Sequence, residues 1–322
     1  MSPLTRDLKE RARTEGFDLV GVARAGPSET AGHLGAWLAA GMHGEMAWLA
    51  ASAEARSDPG RLLPGCRSVV AVAMSYRSGA PPSSVPEVVG ERRVWVSRYA
   101  WGRDYHRLLK RRLLRLGRWL AERVPGAGWR ATVDTAPVLE REWAARAGLG
   151  WIGKSTMLLN RRLGSELFLG LLLTDVELEP DPPATAHCGR CTACLDACPT
   201  SAFPRPYVLD ARRCVAYLTV EHRGAVDPQL EPAMATMVAG CDRCNEACPW
   251  TLRAPTDLHP ELGPQPQRER PPLATLEALD EAGYRQWRQG SALNRIPFNA
   301  FRRNLGIARR NLERRPPPAR AG

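Results

Sequence analysis

Seven of the nine cysteines of this 322-residue chain lie in two short runs, and their spacing restricts the fold more than any other feature. The first run reads CGRCTACLDACPT from Cys188, and the second reads CDRCNEACP from Cys241. In each run a proline follows the last cysteine. Thiols crowded in this way indicate metal binding, because a disulfide framework spreads its cysteines along a secreted chain.

The spacing within the runs favours iron-sulfur clusters. Three cysteines at two-residue gaps, then a fourth after three residues and a proline, are typical of 4Fe-4S sites whose fourth thiolate binds a neighbouring cluster. The second run lacks its first cysteine, and Cys214 replaces it. We therefore predict two 4Fe-4S clusters, one bound by Cys188, Cys191, Cys194 and Cys248, the other by Cys198, Cys214, Cys241 and Cys244. Zinc is the alternative, since CxxC pairs also form tetrahedral zinc sites.

Two features near the runs need separate explanations. Residues 215–240 are inserted between two ligands of the second predicted cluster. A domain that only carries electrons does not need such a loop, so we expect it to lie against a second redox cofactor. The alternative is a surface insertion. Cys66 is left over and is predicted to be a small core residue.

The charge of the chain favours an anionic partner. Lys and Arg number 45 against 34 Asp and Glu, a formal net charge of +11, which suits nucleic acid; the alternative is that the charges are solvated faces. The N-terminal segment lacks the apolar stretch of a signal peptide. The longest apolar run, residues 167–173, is too short to cross a bilayer. We expect a cytoplasmic protein with no membrane association.

Hydrophobic periodicity divides the chain into three regions. Residues 1–180 alternate helix and strand patterns and predict a mixed α+β or α/β domain. Residues 181–255 carry the cysteine runs and predict a ferredoxin-like domain. Residues 256–322 predict a helical region with a disordered tail. Helices are expected at 5–15, 33–50, 104–124 and 139–148, with further helical patterns from 273 to about 310. Strands are expected at 17–23, 68–74, 131–138 and as a pair within 167–178.

Two motifs in the first region do not predict sites by themselves. Residues 148–155 match the phosphate-loop pattern GxxxxGK[ST], but a helical pattern precedes them and no long helix follows, so nucleotide binding is not predicted. Asp104, Tyr105 and His106 resemble the start of a DxHxxG cobalamin motif that lacks its glycine. A helix start with Asp104 as its N-cap explains them, and each histidine is expected to be a packing or surface residue.

Several segments of the chain resemble the epoxyqueuosine reductases, cobalamin and iron-sulfur enzymes that complete queuosine synthesis in tRNA. The resemblance implies an N-terminal nitroreductase-like cobalamin-binding domain followed by a ferredoxin-like domain with two clusters. Longer members append a helical-repeat domain, whose beginning residues 290–311 resemble. The matching segments, in the family's order, are SRYAWGRDYH from Ser97, VDTAPVLER from Val133, GWIGKSTMLLN from Gly150, the first cysteine run, CVAYLTVEHRG from Cys214 and GCDRCNEACPW from Gly240.

The resemblance implies reduction of epoxyqueuosine to queuosine at the wobble position of tRNA. Electrons would pass from an external low-potential donor, such as a flavodoxin or ferredoxin, through the clusters to cobalamin. Loss of the epoxide oxygen takes two electrons and two protons, so a general acid has to lie nearby. We expect Asp134 to be that acid, with a pKa raised toward the working pH because corrin and substrate half desolvate a carboxyl at the end of an apolar strand. The alternative is that Asp134 caps the following helix.

The resemblance also implies contacts with cobalamin and tRNA, and we expect a monomer. The predicted cobalamin contacts are Ser97, Arg98, Tyr99, Asp134, Arg141, Gly153, Lys154, Ser155, Ala216, Tyr217, Leu218 and Thr219. An anticodon loop would be bound through its phosphates and by stacking, and the predicted tRNA contacts are Arg107, Arg111, His222 and Arg223. The competing functions are a reductive dehalogenase-like enzyme acting on a small molecule and an electron-transfer or cobalamin-carrier protein.

Overall fold

The structure of the protein is a computed structural model, and it describes residues 1–83 and 92–314. The predicted disordered tail, apart from Arg314, and part of the predicted loop at residues 81–86 lie outside the described residues. The strands are β1 (Leu19–Arg24), β2 (Ser68–Ser75), β3 (Trp95–Val96), β4 (Trp129–Thr132), β5 (Trp151–Ile152), β6 (Leu158–Leu159), β7 (Leu167–Thr174) and β8 (Met237–Ala239).

Helices surround these strands and dominate the C-terminal half. They are α1 (Pro3–Thr14), α2 (Ala31–Ala39), α3 (Ala47–Ala51), α4 (Ala53–Arg56), α5 (Tyr105–Arg123), α6 (Glu140–Arg146), α7 (Ala193–Asp196), α8 (Val215–Val220), α9 (Arg243–Glu246), α10 (Pro249–Leu252), α11 (Leu273–Glu277), α12 (Glu281–Arg288) and α13 (Phe298–Arg314). The mixture of helices and strands confirms the predicted fold class.

A four-stranded sheet with the order β1-β2-β7-β4 forms the centre of the N-terminal part. All three strand pairs are antiparallel. Strand β2 is buried along its whole length, and its successive side chains face opposite sides of the sheet. Val70, Val72 and Met74 pack with α1 and α5, whereas Ala71 and Ala73 pack with α6. The sheet is therefore covered on both faces.

Helix α5 lies across one face of this sheet. Its leucine stripe is fully buried, as predicted, against strands β2, β4 and β7. The Asp104 side chain accepts a hydrogen bond from the His106 backbone N–H at 3.0 Å and caps the helix. The cap and the stripe together fix how the first turn of α5 meets the ends of β4 and β7.

The insertion at residues 215–240 is part of a hydrophobic core, so its interpretation as a surface loop is wrong. It forms α8 and β8, and β8 pairs with β3 in parallel. Their buried side chains pack with α11, α12 and α13. The same core includes Val94, Trp95 and Trp101 from the N-terminal region. The domain boundaries at 180 and 255 remain predictions.

Three predicted elements differ from the structure. The helix expected at residues 33–50 is two helices separated by a turn, in which Gly41 and Gly44 have positive φ. A Cβ on Gly44 would lie 2.3 Å from Tyr217 Oη, so close approach of the insertion requires this glycine. The strand pair expected within residues 167–178 is one strand that ends at Thr174. The strand expected at residues 131–138 ends at Thr132.

Two further expectations concern local geometry, and the first of them is confirmed. The residues that match the phosphate-loop pattern form the hairpin of β5 and β6, in which the Gly153 N–H donates to Met157 O at 2.8 Å, and no helix follows. Cys66 is half-buried beside the core that packs on α6. Among residues 1–83 and 92–314, no helix combines the length and apolar character that crossing a membrane requires.

Candidate active site

Asp134 lies in the loop between β4 and α6 with a backbone φ of 51°. This left-handed conformation is uncommon for residues other than glycine, although aspartate tolerates it. Glu140 holds the loop in place, because its Oε1 accepts a hydrogen bond from the Asp134 N–H at 2.6 Å. The Asp134 side chain is 49% exposed. The loop therefore presents a carboxylate to solvent at the edge of the sheet.

Asp134 does not cap helix α6, so the helix-cap alternative is wrong. The residue in the N-cap position is Leu139, and no side chain caps the helix there. The strained loop separates Asp134 from the first turn, and Glu140 is itself the first helical residue. The Asp134 carboxylate is consequently free to bond to another element of the fold.

That element is the first turn of α5, where His106 lies between two carboxylates. The His106 Nε2 lies 3.1 Å from Asp134 Oδ2, and Nδ1 lies 2.7 Å from Asp104 Oδ1. The ring stacks on Tyr105, which in turn stacks on Phe168 of β7 with ring centroids 3.9 Å apart. Since both ring nitrogens face carboxylate oxygens, the protonated imidazolium satisfies both contacts as a donor.

The charges of these groups shift their pKa values in opposite directions. Burial lowers the pKa of His106, but hydrogen bonds and charges of Asp104 and Asp134 outweigh it and raise the pKa to about 9. Burial acts to raise the pKa of Asp134, but His106, Arg295 and Arg141 more than offset it. The Asp134 pKa therefore lies below its ordinary value. The expectation of a raised pKa in the presence of corrin and substrate stays a prediction, because the lowering described here is that of the protein alone, where the neighbouring imidazolium dominates.

In the protein alone the carboxyl group of this loop with a raised pKa is that of Glu140. Burial and the negative charge of Asp134 raise the pKa of Glu140 to about 8. Near neutral pH the loop thus contains an ionised Asp134 between two protonated groups, Glu140 and His106. Paired titratable groups whose environments separate their pKa values are typical of acid-base sites.

The predicted cobalamin contacts at residues 97–99 lie mostly inside the fold. Ser97 and Arg98 are 2% and 3% exposed. The Ser97 hydroxyl donates to Asp242 Oδ1 at 2.5 Å, and the Arg98 guanidinium donates to Ala80 O and Pro81 O at 2.9 Å. These two side chains are occupied by internal contacts. Tyr99 is half-buried.

Arg141 and the GKS segment contact different neighbours. Arg141 is exposed, and its guanidinium donates to Thr156 O at 2.6 Å. Lys154 instead donates from Nζ to Gly189 O at 2.7 Å and to Cys191 O at 2.9 Å. Ser155 is buried, and Gly153 closes the turn of the hairpin. The hairpin of β5 and β6 therefore connects α6 to the first cysteine run.

The predicted contacts in α8 are largely core residues. Tyr217, Leu218 and Thr219 are buried, whereas Ala216 is half-buried. The Tyr217 hydroxyl accepts a hydrogen bond from the Glu45 N–H at 2.8 Å, and the Thr219 hydroxyl accepts one from the Gly240 N–H at 2.9 Å. Helix α8 thus contributes mainly to the packing next to Cys214.

None of the nine cysteines forms a disulfide, so all eight predicted ligands are free thiols. Burial and the thiols of Cys248, Cys188 and Cys191 raise the pKa of Cys194. Burial and the thiols of Cys214, Cys198 and Cys194 raise the pKa of Cys244. Burial and the thiols of Cys244 and Cys214 likewise raise the pKa of Cys241. Apart from Cys194, which also acts on Cys244 of the other set, these neighbours belong to the same predicted ligand set.

Hydrogen-bond donors also surround the thiols. The Trp151 Nε1–H donates to Cys188 Sγ at 3.4 Å, and the Ala202 N–H donates to Cys198 Sγ at 3.2 Å. Such bonds stabilise cluster-bound thiolates and tune their potential. The residues present therefore fit two four-cysteine clusters.

The predicted tRNA contacts are on the surface, with one exception. Arg107, Arg111 and Arg223 are exposed. His222 is engaged within the molecule, because Nε2 lies 2.8 Å from Ala225 O and Nδ1 lies 3.0 Å from Glu45 Oε1. Arg107 and Arg111 are accessible to phosphates, whereas the Arg223 guanidinium already donates to Val220 O at 2.7 Å and to Arg295 O at 3.3 Å.

Sequence reasoning missed His106, Glu140 and Arg295. His106 was assigned to packing or surface, like the other histidines apart from His222, and the structure corrects this. The available signal was the Asp-Tyr-His sequence at a helix start within a segment that carried the family resemblance. Glu140 and Arg295 gave no comparable signal, because their role depends on contacts between distant parts of the chain.

Comparison with known proteins agrees with this geometry. Residues 56–135 match the family model described as epoxyqueuosine reductase QueG, DUF1730, and residues 187–251 match the 4Fe-4S double cluster binding domain. The second match confirms the prediction of two 4Fe-4S clusters. The epoxyqueuosine reductase of Synechococcus sp. (strain CC9605) is 44% identical over 311 residues, 95% of this chain and 94% of that protein.

Two solved structures are similar over most of their length. An epoxyqueuosine reductase with a tRNA-Tyr epoxyqueuosine-modified tRNA stem loop has a TM-score of 0.88 and 29% identity, covering 96% of this chain and 82% of that one. The same values hold for the enzyme from Bacillus subtilis, whose structure has an aspartate catalytic loop swung out of the active site. This chain belongs to the epoxyqueuosine reductase family.

Proposed function

We propose that the protein reduces epoxyqueuosine to queuosine at the wobble position of tRNA. The observation that carries the proposal is Asp134, presented by a strained loop and bonded to His106, in a family member that also contains the double cluster domain. A related enzyme binds an epoxyqueuosine-modified stem loop, which supports the same substrate here. The anionic substrate also agrees with the net charge of +11.

The reaction removes the epoxide oxygen from the cyclopentane ring and leaves a carbon-carbon double bond. Two electrons and two protons are consumed, and the oxygen departs as water. Asp134 is proposed to deliver a proton to that oxygen as it leaves. The aspartate catalytic loop of the Bacillus subtilis enzyme supports this role. When bound, cobalamin supplies low-valent cobalt, a strong reductant or nucleophile toward an epoxide carbon.

Cobalamin is proposed to be held beside this loop. The accessible groups fit a corrin with its amide side chains, since Arg141 would contribute an exposed guanidinium, Tyr99 a half-buried side chain and Ala216 a half-buried backbone. Gly153 is buried and its N–H donates to Met157 O, so it would act only by shaping the hairpin. Ser97, Arg98, Lys154, Ser155, Tyr217, Leu218 and Thr219 would contribute backbone contacts only, because their side chains are buried or bonded elsewhere.

Electrons are proposed to enter at the first cluster. Its ligand Cys191 is exposed, whereas the other seven proposed ligands are half-buried or buried. An external low-potential protein such as a flavodoxin or ferredoxin would dock there and reduce the clusters one electron at a time. We further propose a cytoplasmic monomer, with tRNA phosphates bound by Arg107, Arg111 and Arg223.

The test is anaerobic reconstitution with iron, sulfide and cobalamin, followed by incubation with tRNA that carries epoxyqueuosine. We expect visible and EPR spectra of two 4Fe-4S clusters and of bound cobalamin. Mass spectrometry of the digested tRNA should show queuosine, one oxygen atom lighter than its precursor. Protein that holds both cofactors and yet leaves epoxyqueuosine unchanged would refute the proposal.

A further inference from the structure

His106 is a titratable side chain that the predicted chemistry does not use, although it is bonded to the proposed acid. Both of its ring nitrogens contact carboxylates, Asp104 at 2.7 Å and Asp134 at 3.1 Å. A histidine that only packs does not need a carboxylate on each side. The contact with Asp134 lies at the end of the exposed loop, where a substrate would approach.

We propose that His106 holds the proton that Asp134 delivers, so that Asp104, His106 and Asp134 act as one proton relay. The inference rests on the proposed function and assigns the proton supply of that same site. In this relay Asp134 contacts the substrate, whereas His106 and Asp104 are positioning residues that act through it.

The helix start fixes the geometry of the relay. Asp104 accepts from the His106 backbone N–H as the cap of α5 and faces Nδ1 with the same oxygen, Oδ1. This contact orients the ring so that the Nε2–H points at Asp134. Stacking between His106, Tyr105 and Phe168 restricts rotation of the ring. The proton on Nε2 is therefore directed at one acceptor.

The surrounding charges favour a stored proton. The groups that face His106 are the carboxylates of Asp104 and Asp134, with Glu140 behind Asp134. Arg295 and Arg141 stabilise the negative charge of Asp134. The imidazolium and carboxylate thus form a charged pair at neutral pH, in agreement with the His106 pKa of about 9.

Substrate binding supplies the reason for transfer. Excluding water from an ion pair disfavours its charges, so the proton moves from Nε2 to Asp134 Oδ2 and leaves a neutral imidazole and a neutral carboxylic acid. As the carbon-oxygen bond breaks, the oxygen keeps the electron pair and takes the proton from Asp134. His106 is 27% exposed and recovers a proton from solvent.

The second proton follows the same path. Asp134, recharged by His106, protonates the hydroxyl, which leaves as water. The two electrons come from the external donor through the clusters. One epoxide, two electrons and two protons therefore give one alkene and one water.

The first measurement follows the proton without any turnover. In the oxidised holoenzyme with isotopically labelled histidine, the NMR signal of the His106 ring should titrate near pH 9, as expected from its pKa. The signal is assigned by its absence from the spectrum of His106→Gln. Asp104→Asn keeps the helix cap but removes one charge, so the midpoint should fall by about one pH unit or more. A His106 that titrates near the ordinary histidine value in the wild-type protein would overturn the relay.

The second measurement is the pH profile of single-turnover reduction. The wild-type rate should fall as pH rises through about 9, because His106 loses its proton there. His106→Gln should reduce the rate at neutral pH by about 100-fold, and Asp104→Asn should move the basic limb to lower pH. A uniform loss at every pH with an unmoved limb would show a purely structural role and contradict the proposal.

His259 provides a matched control. Its Nε2 lies 2.8 Å from Asp18 Oδ2, the same kind of contact outside the site. His259→Gln should leave the rate and its pH profile unchanged. If the wild-type protein does not convert epoxyqueuosine at all, the proposed function fails, while the titration of His106 still decides where the proton resides.

Discussion

Two physical effects on the pKa of Asp134 oppose each other, and the larger one decides whether the carboxyl group is ionised. Burial acts to raise the carboxyl pKa, but the neighbouring imidazolium and the arginines lower it. The backbone is held at a φ of 51° by a hydrogen bond to Glu140. A positive φ at a non-glycine residue that also carries a half-exposed charge is more typical of a functional position than of one that serves folding alone.

Asp134→Asn should separate these effects. Asparagine tolerates left-handed φ, so the loop should keep its conformation, whereas the variant cannot hold and release the proton. We expect single-turnover reduction to fall by about 100-fold or more, with cluster and cobalamin spectra unchanged. Asp18→Asn, which alters the carboxylate paired with His259, is the control. Undiminished reduction by Asp134→Asn would remove Asp134 from the acid role.

At the scale of elements, helix α5 positions the relay through its contact with β4. Gly117 is buried on this helix, and a Cβ there would lie 2.3 Å from the Trp129 ring. Close approach of α5 to the sheet therefore requires glycine at this position, although glycine is a poor helix former. The first turn of the helix, which carries Asp104 and His106, depends on the same packing.

Gly117→Ala should destabilise the protein despite the better helix propensity of alanine. The gain is about 1 kcal/mol, whereas overpacking against the indole costs about 1–3 kcal/mol. We expect a lower Tm and slower turnover by scanning calorimetry and single-turnover assay. In the control, Gly35→Ala in α2, a Cβ meets nothing within 4 Å, so its Tm should be equal or higher. A Gly117→Ala variant as stable as Gly35→Ala would contradict this packing account.

How much the sequence predicts also depends on scale. Repetitive local patterns suffice for α5, whose leucine stripe and Asp104 cap are both as predicted, and the cysteine spacing indicates the clusters. Interruptions of a helix or strand that are caused by residues distant in the sequence cannot be predicted from local patterns. The turn before α3 exists because Gly44 meets Tyr217, and the pKa of Asp134 falls because α5 brings His106 to it. Sequence periodicity contains neither contact.

At the scale of the whole molecule, the insertion between cluster ligands is held by the C-terminal helices. The buried Asn304 of α13 donates from Nδ2 to Thr219 O and Val238 O, each at 2.9 Å. It thus joins α8 and β8, which flank Cys214 and Cys241. The second proposed cluster depends on packing between regions that are far apart in the sequence.

Asn304→Ala should therefore affect a cluster that it does not contact. Two buried carbonyls lose their donor, at a cost of about 1–3 kcal/mol, and the insertion should loosen. We expect a lower Tm and faster loss of iron from the second cluster when the protein is challenged with chelator. Asn294→Ala, at an exposed position, is the control. Equal iron retention and stability in the two variants would contradict this coupling.

The net positive charge should be visible in tRNA binding. If Arg107 and Arg111 contact phosphates, replacing both by alanine should reduce the slope of log affinity against log salt by about 2. Arg13→Ala, an exposed arginine on α1, should leave the slope unchanged. Fluorescence anisotropy of an anticodon stem loop over a salt series measures this. A slope equal to wild type in the double variant would exclude this face from the interface.

The most direct test of the central claim is the nucleoside composition of tRNA from a bacterium that lacks its own epoxyqueuosine reductase and expresses this chain. With the wild-type protein, epoxyqueuosine should disappear and queuosine should accumulate, whereas the Asp134→Asn variant at the same expression level should leave epoxyqueuosine in place. Persistent epoxyqueuosine in cells that contain the wild-type protein with both of its clusters would contradict the account.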